Sequence, residues 1–258
     1  MSGPRHVLIT GASSGLGAAL ARHYALKNCA LSLFGRDAER LEISALACRP
    51  SAAEVAIYRC DLRDSDEAAR CLLAADSQAP VDLLIANAGI GGMAALAGGV
   101  GEPVEQARAV VETNLLGVIN TVVPFLPQMM SRRSGHIVLI GSIAGLLGLP
   151  HSPAYCAAKS AVHIYGEGLR RLLRGSGVGM TVVCPGFVDT PMSASLPMSR
   201  PFLWTADRAA ARIAAAIERK RRMLIFPWQL RWAAAAARVL PSALIDRVLS
   251  PSRIGAIL

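Results

Sequence analysis

Lysine is scarce in this chain: Lys27, Lys159 and Lys220 stand against 24 arginines. Aromatic residues make up 5% and charged residues 17%, and no aromatic platform or recognition motif accompanies the basic residues, which argues against nucleic-acid binding. The six cysteines, at 29, 48, 60, 71, 156 and 184, form no Cys-x-x-Cys pair and no histidine cluster joins them. Neither a metal site nor a disulfide framework is expected, and reduced thiols in the cytoplasm are the simpler reading. The N-terminal residues lack the apolar stretch and cleavage site of a signal peptide. Internal repeats are missing, as are linkers rich in Pro, Gly or Ser.

The 258 residues lie near the upper limit for one hydrophobic core, and 53% are apolar, so a large core can form. The runs 113–131 and 136–158 are uncharged but interrupted by Asn, Pro, Gly or His, and read as buried elements rather than membrane spans. Net charge is +9 and uneven: residues 1–199 carry 16 basic and 15 acidic side chains, residues 200–258 carry 11 and 3.

Short apolar runs at 7–10, 30–34, 55–60, 81–86, 136–141, 178–184 and 223–226 are predicted strands. Stretches at 15–27, 37–47, 65–75, 103–130, 154–174 and 205–219 are predicted helices. Nearly continuous apolar strands alternating with helices imply an α/β fold: a doubly wound, Rossmann-type, mostly parallel seven-stranded sheet with helices on both faces. We assign 1–226 to this unit, and 227–258 to a basic, apolar helical extension of the same domain.

The first strand enters Thr10-Gly11-Ala12-Ser13-Ser14-Gly15-Leu16-Gly17, and a helix follows. A dinucleotide pyrophosphate needs such a turn: missing Cβ atoms let the backbone approach, and the helix end offers free N–H groups. Gly11, Gly15 and Gly17 give a Gly-x-x-x-Gly-x-Gly spacing. The second strand ends at Phe34-Gly35-Arg36. Gly35 stands where an NAD site places a ribose-binding acid, and the Arg36 guanidinium suits a 2′-phosphate. The cofactor reading is therefore NADP ahead of NAD, with Asp37 read as a helix cap.

Ala86-Asn87-Ala88-Gly89 closes the fourth strand, Gly141-Ser142-Ile143-Ala144-Gly145 the fifth, and Tyr155-Cys156-Ala157-Ala158-Lys159 lies in the next helix. Tyr155 and Lys159, four apart, share a helix face. Together with the glycine turn, these motifs closely resemble the short-chain dehydrogenase/reductase family over residues 5–226. The resemblance implies an oxidoreductase in which Ser142, Tyr155 and Lys159 are catalytic, completed by Asn114 in Thr113-Asn114-Leu115-Leu116-Gly117.

It further implies that Asp61, followed by Leu62, holds the adenine. In Cys184-Pro185-Gly186-Phe187-Val188-Asp189-Thr190, the backbone near Val188 and the Thr190 hydroxyl would fix the nicotinamide carboxamide. Gly11, Ser13, Ser14, Gly15, Leu16, Gly17, Arg36, Asn87, Ala88 and Gly89, with Pro185 and Gly186, complete the cofactor set, which Tyr155 and Lys159 also join. Tyr155 would exchange a proton with the substrate oxygen, its pKa drawn down by Lys159 and the nicotinamide. Ser142 would hydrogen-bond that oxygen, and Asn114 would order a water beside Lys159. Two departures are Ala86, where Asn often precedes Asn87, and Leu172, where Glu is usual. The second alters a surface that meets a partner in a homo-oligomer, the expected assembly.

Segments 191–203 and 90–101 match the family's substrate loops and are rich in Met, Leu, Ala and Gly, which suits an apolar carbonyl or alcohol. In the tail, Arg219-Lys220-Arg221-Arg222 precedes Trp228 and Trp232, a pattern compatible with peripheral membrane contact. Folding back over the substrate cleft, or covering a dimer surface, is the plainer reading of the same helices. A nucleotide-sensing protein without turnover and a membrane-docking subunit are the alternatives to an enzyme.

Overall fold

The computed structural model describes residues 3–92, 102–196, 199–237 and 239–248. Residues 93–101 of the first expected substrate loop, Pro197 and Met198 of the second, and Arg238 and residues 249–258 of the tail lie outside them.

The chain runs β1 (His6–Thr10), α1 (Gly15–Ala25), β2 (Ala30–Gly35), α2 (Ala38–Cys48), β3 (Glu54–Arg59), α3 (Ser65–Gln78) and β4 (Leu83–Ala86). Next come α4 (Val104–Val111), a π-helical turn (Glu112–Leu116), α5 (Gly117–Val122), α6 (Phe125–Ser131), β5 (His136–Ile140), a 3₁₀ turn (Ile143–Leu146) and α7 (Pro153–Leu172). It finishes with β6 (Gly179–Pro185), β7 (Val188–Asp189), α8 (Pro191–Ala194), β8 (Trp204–Thr205), α9 (Ala206–Glu218), β9 (Met223–Phe226), α10 (Trp228–Ala237) and α11 (Ser242–Val248).

Seven strands form one sheet in the order β3-β2-β1-β4-β5-β6-β9, with every pairing parallel. Alternation along each strand divides the core between two faces. Val7 and Ile9 of β1 join Leu20, Leu41 and Ile213 beneath α1, α2 and α9. Leu8 points the other way, toward Leu72, Phe125 and Val162 of α3, α6 and α7. Strand order reverses between β1 and β4, which opens a crevice at their C-terminal ends.

Local chemistry sets several boundaries. Asp37 caps α2 by accepting the Arg40 N–H at 3.0 Å, as its position predicted, and Thr205 caps α9 in the same way. β4 begins at Leu83 rather than Val81. The Asp82 carboxylate turns back to accept the N–H groups of Arg5 and His6 at 2.8 and 3.1 Å, anchoring the chain just before the strand.

The helix predicted over 103–130 is interrupted. A π-helical turn carries Asn114, and Pro124, lacking an N–H, separates α5 from α6. Together Val104–Ser131 is long and apolar enough to cross a membrane. Its Val110, Val118, Val122, Phe125 and Met129 are nonetheless buried within this fold.

The basic run 219–222 precedes β9, whereas α10 follows it. The charges and the tryptophans of the tail therefore sit at opposite ends of that strand. α10 and α11 fold back over the crevice, where Leu230, Ala234, Leu240 and Ile245 line its cavity. Trp228 and Trp232 face outward, 67% and 63% exposed.

Candidate active site

The crevice holds a cavity of about 810 Å³ reaching from the glycine turn to α10 and α11. Its β1–β4 end depends on missing side chains. Gly11 and Gly15 have φ of +65° and +54°, a left-handed backbone that favours glycine. A Cβ on Gly11 would lie 2.8 Å from Ala88 Cα. On Gly15 it would lie 2.9 Å from Thr190 Cγ2, and on Gly17 it would overlap the Gly11 carbonyl. Ser14 adopts the N-cap position of α1, but its side chain accepts no helix N–H, so the first N–H groups of that helix remain open to an anion.

The turn is tied to β4 by Thr10, which sequence reasoning passed over. Its hydroxyl accepts the N–H groups of Asn87 and Ala88 at 3.0 and 3.1 Å. Asn87 Nδ2 donates to the Thr10 and Gly11 carbonyls at 2.9 and 3.2 Å. Asn87 thus holds the cradle in shape, while Ala88 and Gly89 border the cavity beside it.

At the β2–β3 edge, Arg36 is exposed and lines the cavity with Asp61, Leu62 and Arg63. The Arg63 guanidinium grips Asp61, with Nη2 to Oδ2 at 2.6 Å, and these hydrogen bonds hold the carboxyl below its ordinary pKa. Asp61 is therefore engaged, and Arg63 joins Arg36 as a second guanidinium at this end. Nothing in the sequence beyond its nearness to Asp61 marked Arg63.

Cys60, Glu67 and Cys71 bring their ligand atoms within 4.8 Å of one another, a proximity their spacing did not reveal. Burial pushes the Cys60 thiol up to about 12, so without a cation the thiol is protonated.

Ser142, Tyr155 and Lys159 line the same cavity. Burial raises the Tyr155 pKa, and the opposing pull comes from a hydrogen bond with the Ser142 side chain. Lys159 is 4% exposed, its Nζ donates to Ile140 O at 2.9 Å and lies 5.9 Å from the centre of the Tyr155 ring. Burial lowers its pKa to about 8.

Asn114 is fully buried. It accepts the Ile90 N–H at 2.8 Å and donates to Ile90 O at 2.9 Å. A Cβ on neighbouring Gly89 would lie 2.7 Å from Asn114 Oδ1 and 3.4 Å from Lys159 Nζ, so its absence leaves an atom-sized gap bordered by both groups.

Behind the site, His163 Nε2 accepts the Ser142 N–H at 3.4 Å and lies 3.2 Å from Cys184 Sγ. Burial, helped by Lys159, lowers its pKa to about 4, leaving a neutral ring. His163 follows Lys159 by one helical turn, the only signal in the sequence that could have found it.

Pro185, Gly186, Val188 and Thr190 complete the wall. Thr190 caps α8 by accepting the Ser193 N–H and donates to Val188 O at 3.3 Å. A Cβ on Gly186 would meet Leu230 Cδ1 at 2.8 Å, so this glycine lets α10 close on the cavity. The cradle and the open N-terminus of α1 fit the pyrophosphate of a dinucleotide.

Residues 5–200 match the family model described as short chain dehydrogenase. An uncharacterized oxidoreductase of Myxococcus xanthus is 35% identical, covering 94% of this chain and 95% of its own length. A putative ketoacyl reductase of Streptomyces coelicolor is 33% identical over 80% of this chain and 81% of its own. Among solved structures, a short chain dehydrogenase/reductase from Burkholderia phymatum in complex with NAD superposes with a TM-score of 0.81. That pair shares 27% identity and 97% coverage of each chain. A variant of actinorhodin polyketide ketoreductase with NADPH gives 0.78 at 29% identity, over 86% of this chain and 95% of that one.

Proposed function

Because the chain belongs to the short chain dehydrogenase family, we propose that it is an oxidoreductase acting between NADP(H) and an apolar carbonyl or secondary alcohol, with Tyr155 as the acid–base group. The observation that carries this reading is the meeting of Ser142, Tyr155 and Lys159 on one cavity that also opens onto the glycine cradle.

Bound at the cradle, the nicotinamide cofactor supplies or accepts the hydride. The pyrophosphate would lie against Gly11–Gly17 and the start of α1, with Arg36 and Arg63 toward the 2′-phosphate. The neighbour solved with NAD and the one solved with NADPH leave the choice to this chain's own residues. Here the Arg36 guanidinium favours the phosphorylated form, since Asp37 is engaged in capping and Asp61 in its ion pair with Arg63.

With its pKa raised by burial, Tyr155 is protonated near neutral pH and equipped to donate a proton to a carbonyl oxygen. Ser142 holds that oxygen and the Tyr155 hydroxyl in one hydrogen-bonded set. Lys159, when charged, steadies the phenolate left after donation, and a water between Lys159 and Asn114 would return the proton. Leu147, Leu149, Met192 and Leu196 line the adjoining wall, which supports an apolar substrate.

The reading is tested by following NADPH and NADH absorbance with the purified protein across a panel of ketones. Consumption of NADPH ahead of NADH by apolar ketones is expected; consumption of neither cofactor with any ketone would overturn it.

A further inference from the structure

The polar side chains around the catalytic set mostly have partners: Ser142 holds Tyr155, Lys159 holds Ile140 O, and Asn114 holds Ile90. His151 has none. It is 6% exposed and lines the same cavity. Its Nδ1 is buried without a hydrogen-bond partner, and no hydrogen bond joins its ring to any described residue.

Ser152 N–H donates to Leu149 O at 3.1 Å, closing a turn that directs the chain inward. Ser152 then serves as N-cap of α7, with Pro153 in the first turn. His151 therefore stands four residues ahead of Tyr155, at the mouth of the helix that carries it.

Burial lowers the pKa of the ring below its ordinary value, so at neutral pH it offers one N–H donor and one bare nitrogen. A buried polar group left without a partner is costly, and the wall beside it is built from Leu147, Leu149 and Leu196. Nδ1 is inaccessible, so an oxygen carried in by a ligand would meet the ring at Nε2, the nitrogen that is not shut off in this way.

We propose that His151 binds a second oxygen of the substrate. The preferred compounds would then be apolar ketones or alcohols bearing a further carbonyl, ester or hydroxyl group a few carbons from the reacting one. This rests on the carbonyl–alcohol reading above and narrows it.

The test compares the unaltered protein with His151→Phe and His151→Gln, using NADPH with an alkan-2-one and with a methyl 3-oxo ester of equal chain length. His151→Phe is expected to lower kcat/KM for the oxo ester by about tenfold, chiefly through KM, the effect of one lost hydrogen bond. Its kcat/KM for the alkanone should stay within about twofold, with NADPH affinity unchanged. His151→Gln, which keeps a donor and an acceptor, should restore most of the oxo-ester activity. Equal losses on both substrates, or no loss on either, would overturn the assignment. Failure of the unaltered protein to reduce either ketone would instead overturn the carbonyl-reductase reading, and it is visible before any variant is made.

Discussion

The two ends of the cavity are built differently. At the β1–β4 end the surface is main chain: Gly11, Gly15 and Gly17 leave no room for a Cβ, and Thr10 and Asn87 lock the turn through hydrogen bonds. Under α10 and α11 the surface is side chain, made by Leu230, Ala233, Leu240 and Ile245. A main-chain surface recognises groups common to every dinucleotide and tolerates little change. A side-chain surface can be remodelled without disturbing the sheet, so selectivity for the variable ligand belongs there.

That contrast is open to direct attack. Gly17→Ala drives a methyl into the Gly11 carbonyl, and strain of this kind costs about 1–3 kcal/mol. NADPH affinity, measured by fluorescence titration, should weaken by roughly 10- to 100-fold. Leu230→Ala at the other end should raise the ketone KM several-fold while leaving NADPH affinity nearly unchanged; equal effects on NADPH would erase the distinction.

Arg36→Asp replaces an exposed guanidinium with a carboxylate and should shift the NADPH-to-NADH ratio of kcat/KM by about tenfold or more toward NADH. An unchanged ratio would hand the 2′-phosphate to Arg63.

The smallest effect concerns Lys159, where the two ends meet. Its pKa is lowered from 10.5 to about 8, so the folded protein holds this proton less tightly than the unfolded chain does. The buried charge is then a destabilising element below about pH 8, relieved as pH rises from there toward 10.5. Lys159→Met should therefore lose activity yet melt a few degrees higher than the unaltered protein near neutral pH. The difference should shrink in alkaline buffer. A variant that melts lower at neutral pH would show that the Nζ–Ile140 hydrogen bond outweighs the burial of charge.

Legibility in the sequence followed the same division. Strands β1, β2, β5 and β9 were readable because buried parallel strands are nearly continuous apolar runs. The glycine turn was readable because φ and close approach leave few residue choices. The interruption of 103–130 was harder: Pro124 signalled a break, but the π-helical turn that aims Asn114 inward leaves no mark on composition. Thr10, Arg63 and His163 escaped because their roles come from neighbours 77, 2 and 21 residues away in the chain, and only folding sets their orientation. The tail showed the opposite problem. Its basic run and tryptophans are close in sequence, and four residues of β9 hold them apart.

The account turns on a proton supplied by one phenol. Mixing preformed protein–NADPH with an apolar ketone and following NADPH absorbance through a single turnover compares the unaltered protein with Tyr155→Phe. Rapid NADPH loss is expected from the first, and loss slower by about 10²–10⁴-fold from the second despite undiminished NADPH binding. Equal rates from both would contradict it.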